Sequence, residues 1–205
     1  MDVAIIRICG GSGSGKSTLA SAIAGQLGDE RVAVLPFDAY YRDLAHLSMR
    51  ERSEVNFDHP SSLDVELYVQ HLDALRTGQA VGVPEYDFAR HTRTGDHQVC
   101  EARPIVIAEG ILLLAELSIR QRLDLCVFLD VPEGVRFERR LARDTVERGR
   151  DEDDVRRQFA ASVAPMHDQF VQPHGLDADL VHVHPWDVSS LASQVAAAAE
   201  LVTPA

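Results

Sequence analysis

The residues Gly10-Gly11-Ser12-Gly13-Ser14-Gly15-Lys16-Ser17, with Thr18 after them, gather several kinds of phosphate-seeking group in one short stretch. Their spacing is G-x-x-x-x-G-K-[ST]. The glycines let backbone N–H groups turn around phosphate oxygens, the lysine reaches the β- and γ-phosphates, and the hydroxyl sits on Mg²⁺. Lys16 and Ser17 would take the last two roles. The loop needs a strand before it and a helix after it, because the helix N-terminus directs its partial positive charge at the same anion. Both flanks are present: residues 3–9 are an apolar strand-like run and residues 17–27 are helix-like. A chance Gly/Ser linker lacks that context. Nucleotide binding is therefore expected, and the open question is what receives the phosphate.

Carboxylates follow three strand-like runs. Asp38 lies just beyond residues 31–35, Glu109 ends the run from Ile105, and Asp130 ends the run from Leu125. In open α/β sheets ligands bind at the carboxyl ends of strands, so all three point to the edge that carries the phosphate loop. Asp38 is the candidate to deprotonate or orient an acceptor hydroxyl; its alternative is an ordinary turn or cap aspartate. Glu109 ranks above Asp130 as the metal-side carboxylate, because Asp130 precedes Val131-Pro132-Glu133 and is placed to cap the next helix.

Arg136, Arg139, Arg140 and Arg143 fall at i, i+3, i+4 and i+7 on one helix face, and Arg148-Gly149-Arg150 follow. On an acidic chain this concentration suits a lid that closes over phosphates. Some of these arginines should instead pair with Glu138, Asp144 or Glu147, Arg136 and Arg139 first among them. Between residues 57 and 93, Phe57, Tyr86 and Phe88 could enclose a planar base, His91 could read its polar edge, and Asp58 could accept ribose hydroxyls. His182-x-His184 resembles half a metal site, but no third ligand stands at a persuasive spacing.

The elements that must position these groups alternate between strand and helix over 205 residues, which implies one α/β domain with a mostly parallel sheet. Strands are expected at 3–9, 31–35, 105–108, 125–129 and 180–183. A helix is expected at 62–77, with Leu63, Leu67, Leu72 and Leu75 on one face, Ser61 or Ser62 as cap and Gly78 as stop. Further helices should cover 132–147, 153–163 and 189–201. A net charge of −12 argues against a nucleic-acid partner. The chain has no apolar run of membrane-spanning length, no room for a signal peptide before Gly10, and three cysteines without disulfide or metal spacing. Cys9 and Cys126 read as small buried hydrophobes, and a soluble, reduced, cytoplasmic setting fits.

From residue 6 onward the chain resembles the uridine kinases (uridine–cytidine kinases) of the P-loop kinase class. The resemblance is carried by Gly10 to Thr18, Phe37-Asp38-Ala39-Tyr40-Tyr41-Arg42-Asp43-Leu44, Asn56-Phe57-Asp58-His59-Pro60 and Tyr86-Asp87-Phe88 with His91-Thr92-Arg93. It continues through Glu109-Gly110-Ile111-Leu112, Arg139-Arg140-Leu141-Ala142-Arg143-Asp144, Glu147-Arg148-Gly149-Arg150, Gln158 and Pro165-Met166. The resemblance implies a three-layer P-loop NTPase-type fold with a β-hairpin acceptor-binding insertion at about 84–103 and an arginine-rich lid at about 140–158. It implies ATP- or GTP-dependent, Mg²⁺-assisted phosphorylation of the 5′-hydroxyl of uridine and cytidine in pyrimidine salvage, by a homotetramer. It assigns Asp38 as base, Ser17 and Glu109 to the metal, and Arg143 and Arg148 to the phosphates. It places Asp58 and Arg140 at the ribose, with Tyr41, Phe57, Tyr86, Phe88, His91, Ile111, Arg150 and Gln158 around the base. Pantothenate kinase, phosphoribulokinase and a nucleotide-gated switch are the competing readings. After Ala178-Asp179-Leu180-Val181 the family's usual Pro-Arg-Gly is replaced by His182-Val183-His184-Pro185-Trp186. The choice between ATP and GTP therefore does not carry over.

Overall fold

A computed structural model describes residues 3–203. In chain order its strands are β1 (Ala4–Gly10), β2 (Val32–Pro36), β3 (Val81–Asp87), β4 (Thr92–Cys100), β5 (Ile105–Glu109), β6 (Leu125–Asp130) and β7 (Leu180–Val183). Five of them form one parallel sheet in the order β2-β5-β1-β6-β7. Every residue of β1 and β5 is buried, as near-continuous apolar runs of strands covered on both faces should be.

The helices are α1 (Lys16–Leu27), α2 (Met49–Ser53), α3 (Val65–Arg76), α4 (Leu117–Arg120), α5 (Glu133–Val146), α6 (Glu152–Gln158), α7 (Ala164–Phe170) and α8 (Val188–Val202). Alternation along β1 sends Ile6 and Ile8 to one face, where Leu19 and Ile23 of α1 and Leu191 and Val195 of α8 cover them. Ile5 and Cys9 go to the other face, with Phe37, Tyr68, Leu72 and Leu75. The result is a three-layer α/β fold. Cys9 and Cys126 are buried within β1 and β6.

Several expected boundaries move, each for a local reason. α3 starts after Asp64, whose carboxylate accepts the Leu67 N–H, and not at Ser61 or Ser62. Pro60 holds those serines in a separate 3₁₀ turn, and Leu63 leaves the helix face to bridge Tyr41. The buried stripe of α3 is then Tyr68, Leu72 and Leu75. The helix expected to end at 163 continues through a π turn, Phe159–Val163, into α7. Pro165 has no N–H for a regular ladder, and the wider turn accommodates its ring. α2, closed by a Ser48/Glu51 capping box, and the short α4 were not anticipated.

The hairpin β3–β4 spans Val81–Cys100 and stands apart from the main sheet. Its register shifts between Pro84 and Tyr86. Proline cannot donate to the ladder, and a bulge beside it reverses the in/out alternation. Val81 and Val83 point inward, and after the shift Tyr86 does too.

Asp64 both caps α3 and meets Arg93 Nη2 of the hairpin at 3.2 Å. Asp64→Ala should cost about 1–2 kcal/mol in urea unfolding, from the cap together with a partly exposed ion pair. Asp64→Asn keeps a capping oxygen and should lose less. Equal losses in the two variants would show that the cap contributes nothing.

Candidate active site

β1 ends at Gly10 and α1 begins at Lys16, so the loop between them wraps the point where the central strand stops. Gly15, the helix cap, sits at φ 96° and Gly13 at φ 80°, backbone that L side chains rarely adopt. A Cβ on Gly13 would lie 2.3 Å from the Arg136 carbonyl oxygen. Lys16 Nζ donates to the Gly11 carbonyl at 3.0 Å. Burial lowers the Lys16 pKa, while Glu109 and Asp38 raise it. Gly10, Gly11, Ser14 and Gly15 form the loop's frame, and Thr18 lies on the exposed side of α1.

The parallel register sets Glu109 level with Ile8 of β1 and with Pro36 of β2. Ser17 Oγ donates to Glu109 Oε1 at 3.0 Å. A hydroxyl, a buried carboxylate and the nearby Asp38 are hard oxygen donors of the kind Mg²⁺ takes when phosphates and water supply the rest of its shell. The residues present fit that metal. Asp38 lies in a 3₁₀ turn (Phe37–Tyr40) whose capping position is held by Pro36, so it does not cap the turn. Asp130 is not a helix cap either, since that position before α5 belongs to Pro132. It also lies outside the cavity described next.

A cavity of about 340 Å³ opens beside the loop. Ser12, Gly13, Lys16 and Ser17 form one wall, with Asp38 and Glu109 next to them. Tyr41, Phe57, Asp58, Tyr86, Phe88, His91 and Ile111 form the far wall, and Arg140, Arg143, Arg148, Arg150 and Gln158 close over it. Ala89 and Gly149, given no site role from the sequence, also line it. Tyr41 packs on Tyr86 at 5.3 Å between ring centroids, and His91 stacks on Phe57 at 4.8 Å and 17°. His91 has a left-handed backbone, φ 53°. Burial and the Arg150 and Arg52 cations hold its imidazole below the usual value, so the ring is neutral at pH 7. Asp58 is buried. Its Oδ2 accepts from Ser162 Oγ at 3.1 Å and its Oδ1 is 3.9 Å from Arg140 Nη1.

The arginines divide differently from the expected pairing. The buried residues of α5 are Arg136, Arg140 and Asp144, one charged stripe at i, i+4 and i+8. Arg136, 3% exposed, packs on the phosphate loop and donates Nε to the Val131 carbonyl at 3.0 Å. Arg139 is exposed and reaches His184 Nε2 at 3.3 Å. Neither makes the expected ion pair. The helix turns its stripe toward the loop, so Asp144 is taken by Arg140, Arg143, Arg148 and Arg150. Arg140 also donates to Ser12 Oγ at 3.0 Å and to Gln158 Oε1 at 3.1 Å. Arg148 lies over the Phe88 ring, 4.7 Å from its centroid. Ser162 gave no sequence signal, being a lone serine in a helical run. Asp144 was named only as one possible arginine partner beside Glu138 and Glu147.

A sequence model of the phosphoribulokinase / uridine kinase family matches residues 5–186. The chain belongs to this family. It is 46% identical over 177 residues to a uridine kinase of Chloroflexus aurantiacus, covering 86% of this chain and 85% of that one. It is 42% identical over 181 residues to a uridine kinase of Escherichia coli strain K12, again covering 86% and 85%. Among solved structures, phosphoribulokinase from Rhodobacter spheroides superposes with a TM-score of 0.63 at 15% identity, covering 92% of this chain and 73% of that one. D-glycerate 3-kinase from Cryptococcus neoformans superposes at 0.61 and 14% identity, covering 82% and 79%. These two likenesses show the fold. After β7, His184 packs edge-on against Trp186 at 5.4 Å and faces Arg139.

Burial, then Asp38, raises the Glu109 pKa above the ordinary carboxylate range, with Lys16 and Ser17 opposing. The fold therefore holds this proton more tightly than the unfolded chain does. Glu109 supports folding fully below the unfolded pKa, and that support is lost as pH rises through the folded value. Glu109→Gln should melt at a higher temperature than the nucleotide-free wild type at neutral pH, and the gap should narrow toward pH ~4. Turnover should fall at least about a hundredfold. A variant that melts lower at every pH would sink this account.

Proposed function

We propose that this chain transfers the γ-phosphoryl group of ATP or GTP to the 5′-hydroxyl of uridine and cytidine, giving UMP and CMP for pyrimidine salvage. The observation that carries this reading is a cavity in which the phosphate loop and Asp38 share a lining with a set of aromatic rings and Asp58. The uridine kinases it resembles at 46% and 42% identity support the same acceptor. A nucleotide switch has no use for such a lining.

In this reading the loop's N–H groups and Lys16 hold the donor phosphates. Asp58, its Oδ2 fixed by Ser162, accepts from the ribose hydroxyls. Asp38 takes the 5′-hydroxyl proton as the oxygen bonds to the γ-phosphorus and the bridge to the β-phosphate breaks. Arg143 and Arg148 meet the charge that builds on the transferring group, and the closed lid keeps water from competing for it. Ser17 and Glu109 would hold Mg²⁺, which when bound supplies charge neutralisation on the β- and γ-phosphates. Neutral His91 can present an N–H to the uracil O4 or a bare nitrogen to the cytosine amino group, according to tautomer. Tyr41, Phe57, Tyr86, Phe88, Ile111, Arg150 and Gln158 surround the base. A homotetramer in the cytoplasm is the setting that goes with this reading, and the unpaired Cys9, Cys100 and Cys126 agree with a reducing compartment.

The test is ADP release with Mg²⁺–ATP and, separately, uridine, cytidine, pantothenate and ribulose 5-phosphate. Only the pyrimidine nucleosides should turn over, with kcat/KM values within about a thousandfold of each other. Asp38→Asn should lower kcat by about 10²–10⁴-fold. Hydrolysis that ignores both nucleosides and the Asp38 substitution would leave a nucleotide switch as the better account.

A further inference from the structure

Asp144 is completely buried, 0% exposed, in a helix whose other buried side chains are both arginines. Its Oδ1 accepts from Arg143 Nε at 2.9 Å and Nη2 at 2.7 Å, and lies 3.5 Å from Arg148 Nη1. Its Oδ2 is 3.4 Å from Arg140 Nε and 3.5 Å from Arg150 Nη1. Backbone joins the same knot, since Arg150 N–H donates to the Asp144 carbonyl at 3.0 Å.

Each of these arginines lines the cavity, whereas Asp144 does not. A carboxylate taken out of water is costly unless it is surrounded by charge partners, and here it has more than it needs. Guanidinium groups crowded together repel one another, and a shared counter-charge lowers that repulsion. Against Asp144 and Asp58, the latter 3.9 Å from Arg140, the four cations leave two surplus positive charges on the cavity side. That surplus faces the wall formed by Lys16, Ser17 and Asp38.

We propose that Asp144 is the positioning residue of the lid: a buried carboxylate that gathers Arg140, Arg143, Arg148 and Arg150 into one cluster aimed at the transferring phosphoryl group. It touches no reactant and acts through the arginines. The arrangement is then set by a group of the protein itself, so the cations need no reorganisation when the phosphates arrive. The inference rests on the kinase reading above for what the cluster acts upon.

Asp144→Asn keeps the shape and one acceptor oxygen while removing the charge. Expected is a fall in kcat for uridine of about a hundredfold, the scale of losing aligned transition-state donors. The Kd for Mg²⁺–ADP should stay within about threefold of wild type, because Lys16 and the loop amides are untouched. A purely structural role would move the melting temperature and leave kcat unchanged at a temperature where the variant is folded. That result would overturn the proposal. A second measurement needs no variant: in wild-type protein without nucleotide, the Glu147 and Arg150 amides, which donate to the Arg143 and Asp144 carbonyls, should exchange slowly. Free exchange there, slowed only on adding Mg²⁺–ADP, would mean that phosphate and not Asp144 gathers the arginines. If wild type ignores uridine altogether, the kinase reading fails, and the exchange experiment still decides the role of Asp144.

Discussion

The register of β1 against β5 and β6 governs everything at the catalytic edge. Parallel pairing puts Ile8 beside Glu109 and Gly10 beside Leu129, so the loop leaves β1 one strand away from the carboxylate that its Ser17 meets. A slip of one residue would turn Glu109 to the opposite face of the sheet. The apolar residues that fix this register are buried on both faces, well below the ligand edge. Hydrophobic burial thus holds a polar site in place without contributing any atom to it.

The lid is built on the opposite principle. α5 buries a charged stripe where the sheet buries hydrocarbon, and the contacts of that stripe are guanidinium to carboxylate, hydroxyl and carbonyl. Such contacts are directional, so they hold each guanidinium in a set orientation. The link from Arg140 to both Ser12 and Gln158 ties α5 to the phosphate loop on one side and to α6 on the other. The π turn that follows α6 carries Ser162 onto Asp58, so lid and acceptor wall share one continuous helical run.

Much of this was legible wherever the signal was local. The phosphate loop declares itself by spacing, and Asp38 and Glu109 by standing at the ends of apolar runs. The failures come from competition between equally local signals or from tertiary orientation. Ser61 and Ser62 are good caps, but Pro60 fixes them in a turn of their own and Asp64 takes the role. Arg136 stands two turns from Asp144 on the same stripe, beyond pairing reach, and packs on the phosphate loop instead. Arg140 and Arg148, at i−4 and i+4, take the carboxylate. Tyr86, expected beside the base, does line the cavity, and what the sequence did not announce is the bulge at Pro84 that reverses the strand's alternation before it.

The acceptor wall owes several of its rings to the hairpin β3–β4, a two-stranded piece with no ladder to the main sheet. Its tip, residues 88–91, supplies Phe88, Ala89 and His91 to the cavity, while its root is fixed by Val81, Val83 and Tyr86 in the core. Root and tip meet at Tyr86, which belongs to both core and cavity, and beyond that residue they can vary under separate selection. Substitutions at the tip would alter the cavity lining without disturbing the register that sets Glu109 beside the phosphate loop. A descendant of this chain could acquire a new acceptor by exchanging a handful of side chains, with its means of handling the donor inherited intact.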